Sequence, residues 1–160
     1  PFYSPTAPFG GAEDLIWSPD SKSVLYVCKK KAGKAYATST NADIYQYDLD
    51  SKSTKNLTDG MNGYDNTPSF SPDGKRLTWM SMKTDGYEAD KNDIIIQDFQ
   101  SGLKLNLTAH WDGTVNSYVW SKDNKKIYRI SYYATILYFI SCAKLGSAQP
   151  GSGQIRLVLK

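Results

Sequence analysis

The single histidine of the chain, His110, stands in His110-Trp111-Asp112, where an imidazole and a carboxylate lie close together in sequence. Such a pair can act as general acid and base, but acyl transfer also needs a nucleophile held against the imidazole. The Gly-x-Ser-x-Gly turn that presents a hydrolase serine does not occur; Gly151-Ser152-Gly153 has the wrong spacing. Two of the three groups of a triad are therefore unidentified, and His110, followed by Gly113, reads as a loop residue. Tyr87, Glu88 and Asp90 cluster in a polar stretch. Glu88 and Asp90 bring carboxylates to it, although loop charges are commonly just solvated. The groups Asp43/Asp48 and Asp90/Asp93/Asp98 lack the oxygen-ligand spacing of a calcium loop, and Cys28 and Cys142 form neither a CxxC motif nor a disulfide framework. Neither a metal nor a cofactor is expected.

Hydrophobic residues make up 40% of the 160 positions and charged residues 22%, the composition of a folded globular domain. The 12 tyrosines and 4 tryptophans tilt it toward sheet, where aromatic side chains fit the half-buried pleated surface. The net charge of +3 comes from dispersed lysines, not the clustered stripe that nucleic acid requires. The one run, Lys29-Lys30-Lys31, reads as a solvated hairpin loop. No apolar stretch approaches the roughly 20 residues of a membrane span, the nearest being Ala134 to Ala143. The chain opens on Pro1 without a signal pattern, as a mature product or a fragment would.

A repeat positions all of these residues. Trp17-Ser18-Pro19-Asp20 returns as Phe70-Ser71-Pro72-Asp73-Gly74 and again as Trp120-Ser121-Lys122-Asp123-Asn124, at offsets of 53 and 50 residues. Asp43-Ile44 returns as Asp93-Ile94, Asn56-Leu57-Thr58 as Asn106-Leu107-Thr108, and Gly63 as Gly113, each 50 residues on. Asn-Leu-Thr also matches a glycosylation pattern, but its phase with the repeat points to a strand-ending role. Ser-Pro-Asp-Gly suits a type I turn, so each repeat opens on a hairpin. In the second repeat, strands are expected near Thr67–Ser71, Arg76–Met82, Asp93–Phe99 and Leu103–Thr108. Repeats of about fifty residues with four short antiparallel strands describe the blades of a β-propeller. The predicted fold is all-β, an incomplete propeller of three four-stranded antiparallel blades, TolB-like or WD-repeat-like. A linker at 1–11 would precede blades at 12–59, 60–109 and 110–160. The third is irregular after 131, with a Gly/Ser/Pro/Gln linker from Leu145 to Gly153.

The repeats, together with Asp85-Gly-Tyr-Glu-Ala-Asp-Lys91, resemble the N-terminal propeller of the prolyl oligopeptidase family of serine peptidases, in particular its dipeptidyl peptidase V and acylaminoacyl peptidase types. The likeness covers about Ala12 to Arg129. It implies a parent enzyme whose triad sits on a C-terminal α/β-hydrolase domain, and a propeller that limits substrates to short peptides. It also implies a periplasmic or secreted location. Tyr87, Glu88 and Asp90 would then be candidates for anchoring the substrate's amino terminus. This chain is expected to be a non-catalytic, substrate-gating segment of that parent; the alternative is a TolB-like module that binds a protein partner.

Trp17, Phe70 and Trp120 each precede a Ser-x-Asp turn, so all three are expected in equivalent buried places. Three blades cannot close a ring that takes four to eight. Apolar faces should therefore remain for the remaining blades of a parent or for a second copy in a homodimer.

Overall fold

The computed structural model of the chain describes residues 2–6, 10–133, 136–137, 141–145 and 157–159. Its organising element is the Ser-x-Asp turn, whose chemistry is local and repeats three times. Ser18, Ser71 and Ser121 each donate their hydroxyl to the aspartate two residues on, Asp20, Asp73 and Asp123, at 2.6 Å in every copy. The same serine oxygen accepts the backbone N–H of Ser23, Arg76 and Lys126 at 2.8 to 3.0 Å, tying the entry of the following strand to the exit of the preceding one. The aspartates take the N–H of Lys22, Lys75 and Lys125. Residue four of the turn lies in the left-handed region at Ser21, Gly74 and Asn124, with φ of 58°, 69° and 60°. Glycine reaches that conformation without the steric penalty a side chain carries, so Gly74 is the best of the three choices.

Each turn joins the first two strands of a sheet. Strands β1 (Leu15–Trp17), β2 (Ser23–Cys28), β3 (Asp43–Asp48) and β4 (Thr54–Asn56) pair in that order and antiparallel. Strands β5 (Asp65–Phe70), β6 (Arg76–Ser81), β7 (Asp93–Asp98) and β8 (Lys104–Asn106) form a second sheet in the same sequential order. The third sheet uses β9 (Ser117–Trp120) and β10 (Lys126–Ile130). A separate hairpin, β11 (Tyr132–Tyr133) with β12 (Ile136–Leu137), precedes its last two strands, β13 (Ser141–Leu145) and β14 (Leu157–Leu159). The architecture is thus three antiparallel four-stranded sheets of propeller-blade type. Most of the linker expected at Leu145 to Gly153 lies outside the described residues, as does the side chain of Cys142; Cys28 is a buried free thiol.

The second repeated motif ends each of the first two blades by one hydrogen-bond network. Thr58 Oγ1 donates to Asp43 at 3.3 Å and accepts the Ile44 N–H at 3.1 Å. Thr108 Oγ1 does the same with Asp93 at 2.7 Å and Ile94 at 3.0 Å. Asn56 and Asn106 accept the N–H of the threonine two residues later. Asp48 and Asp98 instead cap the turn between the third and fourth strands, through Ser51 and Ser101.

The chain divides into two compact units, Pro1–Ser69 with Trp79–Lys91 and Phe70–Thr78 with Asn92–Lys160. The first is built on Leu25, Val27, Ile44 and Trp79, all fully buried, and the second on Leu77, Ile96, Val115 and Ile127. In the first unit a Cβ on Gly63 would sit 1.8 Å from the Met82 carbonyl oxygen, so the close approach of the two backbones there requires glycine. Helix among the described residues is one short α-helix, α1 (Lys34–Thr38), and a 3-10 turn at Ala12–Asp14. No helix among the described residues is long and apolar enough to cross a membrane.

One expectation needs correcting. Trp17 and Trp120 hold the same register, opposite Val24 and Ile127, but Trp17 is 61% exposed while Trp120 is 9% exposed. Phe70 is half-buried, its ring 6.1 Å from that of Phe99. Trp120 owes its burial to β6: its indole N–H donates to Thr78 Oγ1 at 2.9 Å, and Tyr118 two residues earlier donates to the Thr78 carbonyl, also at 2.9 Å. Within the described residues no sheet precedes β1, so the matching face, carrying Leu15 and Trp17, stays open.

Candidate functional site

In the first unit, two loops, with Thr6 and the residue just before β5, line a cavity of about 460 Å³. The β2–β3 connection carries α1, and the β6–β7 connection runs from Met82 to Asn92. The cavity is lined by Lys29, Tyr36, Ala37, Thr38, Ser39 and Thr40 from the first loop and by Met82, Gly86 and Glu88 from the second. Thr6 and Tyr64 complete the wall.

Asp85 joins the two loops. Its carboxylate accepts from Ser39 Oγ at 2.5 Å, Thr40 N–H at 2.8 Å and Asn41 N–H at 3.0 Å, and pairs with Lys31 at 3.2 Å. Partial burial works against its ionisation. The donors outweigh it, Ser39 foremost, and hold Asp85 down to about 2. Gly86 N–H adds a bond to Thr40 Oγ1 at 2.9 Å. Asp90 closes the second loop on itself by accepting the N–H groups of Lys83, Thr84 and Lys91.

Lys29 braces the other wall. Its ammonium donates to the carbonyls of Tyr36 at 2.8 Å and Ser39 at 2.7 Å and lies 4.0 Å from the centre of the Tyr36 ring. Burial pushes this lysine below its ordinary range; the charges of Asp85 and Glu88 oppose the shift and Lys31 adds to it. The lysine run is therefore not the solvated loop its composition suggests. Lys29 supports α1, Lys30 stands 3.7 Å from the centre of the Tyr45 ring, and Lys31 pairs with Asp85. On the far wall burial, then the charges of Asp14 and Glu13, push the Tyr64 phenol upward.

The three anchoring candidates separate by geometry. Glu88 lines the cavity, exposed at its rim, and its carboxylate has no hydrogen bond to a described residue. Tyr87 is 54% exposed and is not among the lining residues. Asp90 is occupied with its own loop. His110 and Asp112 are exposed on the turn after β8, and His110 has no hydrogen-bond partner among the described residues. No group of three or more His, Cys, Asp or Glu among the described residues is placed to hold a metal.

No protein-family model matches the chain. A dipeptidyl-peptidase 5 of Porphyromonas gingivalis is 44% identical over 128 residues, which cover 80% of this chain and 19% of that protein. The chain is a partial β-propeller related to dipeptidyl-peptidase 5. A dipeptidyl-peptidase 5 of Schizosaccharomyces pombe is 30% identical over 143 residues, 86% of this chain and 20% of that protein. The chain thus spans about a fifth of the length of these curated relatives. TolB from Acinetobacter baumannii superposes with a TM-score of 0.58 at 26% identity, over 82% of this chain and 29% of that one. The tricorn protease, also at 0.58 but 14% identical, covers 89% of this chain and 14% of its own, and shares the fold alone.

In the first unit, Lys29 and Asp85 are the residues that sequence reasoning missed. Asp85 stood inside the stretch that carried the family likeness, and its spacing to Ser39 and Asn41 has no sequence signature.

Proposed function

We propose that the chain is the non-catalytic, substrate-gating part of a dipeptidyl peptidase of the prolyl oligopeptidase family, acting on short peptides beside a hydrolase domain, in the periplasm or outside the cell. Glu88 carries the proposal: it is a carboxylate without a hydrogen bond among the described residues, on the rim of a cavity whose loops are otherwise tied down. A peptide's free amino terminus is the cation such a group recognises, through a charge-assisted hydrogen bond. Tyr87, beside it in sequence and exposed, would cover a peptide's first residue from outside the cavity wall. Asp90 shapes the loop that presents both.

The test is Glu88→Gln in the full-length parent, assayed on free and N-blocked dipeptide substrates. The variant is expected to raise KM for the free substrate about tenfold, the worth of one charge-assisted contact, and to leave the blocked one unchanged. Unchanged selectivity would remove Glu88 from the role.

The alternative, a module that recruits a protein partner, draws on the likeness to TolB and on the open face with Leu15 and Trp17. A parent gene with no hydrolase domain would favour it.

A further inference from the structure

Substrate anchoring requires only a negative group, yet the same cavity holds a positive one. Two of the three Lys29 Nζ protons go to the Tyr36 and Ser39 carbonyls; the third has no oxygen or nitrogen acceptor among the described residues, and the ammonium has only the Tyr36 ring, 4.0 Å from its centre, beside it. Thr6, which is 7% exposed, also lines the cavity, and its hydroxyl has no hydrogen-bond partner among the described residues. A buried hydroxyl without a partner costs free energy unless something fills the space beside it. Between the polar groups the wall is Tyr36, Ala37, Tyr64 and Met82, and a volume of about 460 Å³ falls in the range of small-molecule sites, roughly 300 to 1,000 Å³.

We propose that this cavity binds a free dipeptide as a zwitterion, with its ammonium on Glu88, its carboxylate on the remaining Lys29 N–H and an apolar side chain against Tyr36, Tyr64 and Met82. The inference rests on the anchoring reading of Glu88 and extends it from substrate to product. A peptide substrate presents an amide where its released dipeptide presents a carboxylate, and only the carboxylate gives Lys29 an ionic partner. The parent would accordingly retain its own product, and free dipeptides would compete with substrate.

Equilibrium dialysis of the 160-residue chain against radiolabelled glycyl-phenylalanine tests this and tolerates self-association. Saturable binding is expected, with the C-terminal amide and the N-acetyl derivative each about tenfold weaker. Glu88→Gln, at an exposed rim position, should abolish the difference between free and acetylated forms. Lys29→Met should abolish the difference between acid and amide. Because Lys29 also braces α1, the ligand series on the unaltered chain decides by itself. Equal binding of acid and amide, or no saturable binding up to about 10 mM, overturns the proposal. Weakening by acetylation without weakening by amidation overturns it while leaving amino-terminal anchoring intact. The reverse pattern defeats both.

Discussion

Replacing Trp120 with alanine is expected to cost about 3 to 5 kcal/mol, whereas Trp17→Ala, at the same register position of the first blade, should cost under about 1 kcal/mol. The contrast isolates burial from sequence context, because both residues precede the same Ser-x-Asp turn. Trp120 is 9% exposed and donates its indole N–H to Thr78; its removal leaves a large void and takes that hydrogen bond away. Trp17 is 61% exposed, so truncation gives up little that water does not already touch. Urea unfolding of both variants measures the difference. Equal losses would mean that β1 is covered in solution by something within the chain.

The second large effect is electrostatic and sits in the first unit. Asp65 is fully buried, accepts the Trp79 indole N–H at 3.2 Å on one oxygen, and leaves the other without a hydrogen-bond partner among the described residues. Burial pushes its carboxyl up to about 7; the Ser81 and Thr58 hydroxyls and the Trp79 indole oppose the shift, and the charge of Asp43 adds to it. An acid whose pKa is higher folded than unfolded binds its proton more tightly in the native state. Stability therefore falls as pH rises from about 4, where the unfolded chain releases the proton, to about 7, where the folded one does. Asp14, raised by burial and opposed by the Thr67 N–H, contributes with the same sign.

Asp65→Asn keeps an acceptor for Trp79 and carries no charge. It should be more stable than the parent sequence at pH 8, by an amount on the order of 4 kcal/mol at most, and the gap should close toward pH 5. Denaturant midpoints at the two pH values check this. Parallel pH dependence in the two proteins would show that Asp65 does not titrate in that window.

How much of this was legible in the sequence follows from how local each feature is. The Ser-x-Asp turn closes within six residues, so its chemistry is complete in the motif, and all three copies make the same 2.6 Å bond. The Asp-Ile and Asn-Leu-Thr motifs were visible as a shared 50-residue step. Their meaning, a threonine hydroxyl bridging Asp43 and Ile44 or Asp93 and Ile94, appears only when the third and fourth strands pair. The exposure of Trp17 depends on what lies over a sheet, which no motif in that sheet encodes. The loop acids were recognisable as a group, but their roles diverge with geometry. Asp85 joins two loops 44 to 54 residues apart in sequence, Asp90 folds one of them, and Glu88 remains at the cavity. Lys29 looks solvated in the sequence because nothing in its neighbours announces the two carbonyls that hold it.

In the proposed function these residues shape and gate a peptide site without performing the chemistry. Among the described residues, the one imidazole is exposed and has no hydrogen-bond partner. A fluorophosphonate probe, which reacts with an activated serine, tests the claim on the isolated 160-residue chain beside its full-length parent. The account predicts labelling of the parent on a serine outside these residues and none of the isolated chain; stoichiometric labelling of the isolated chain would contradict it.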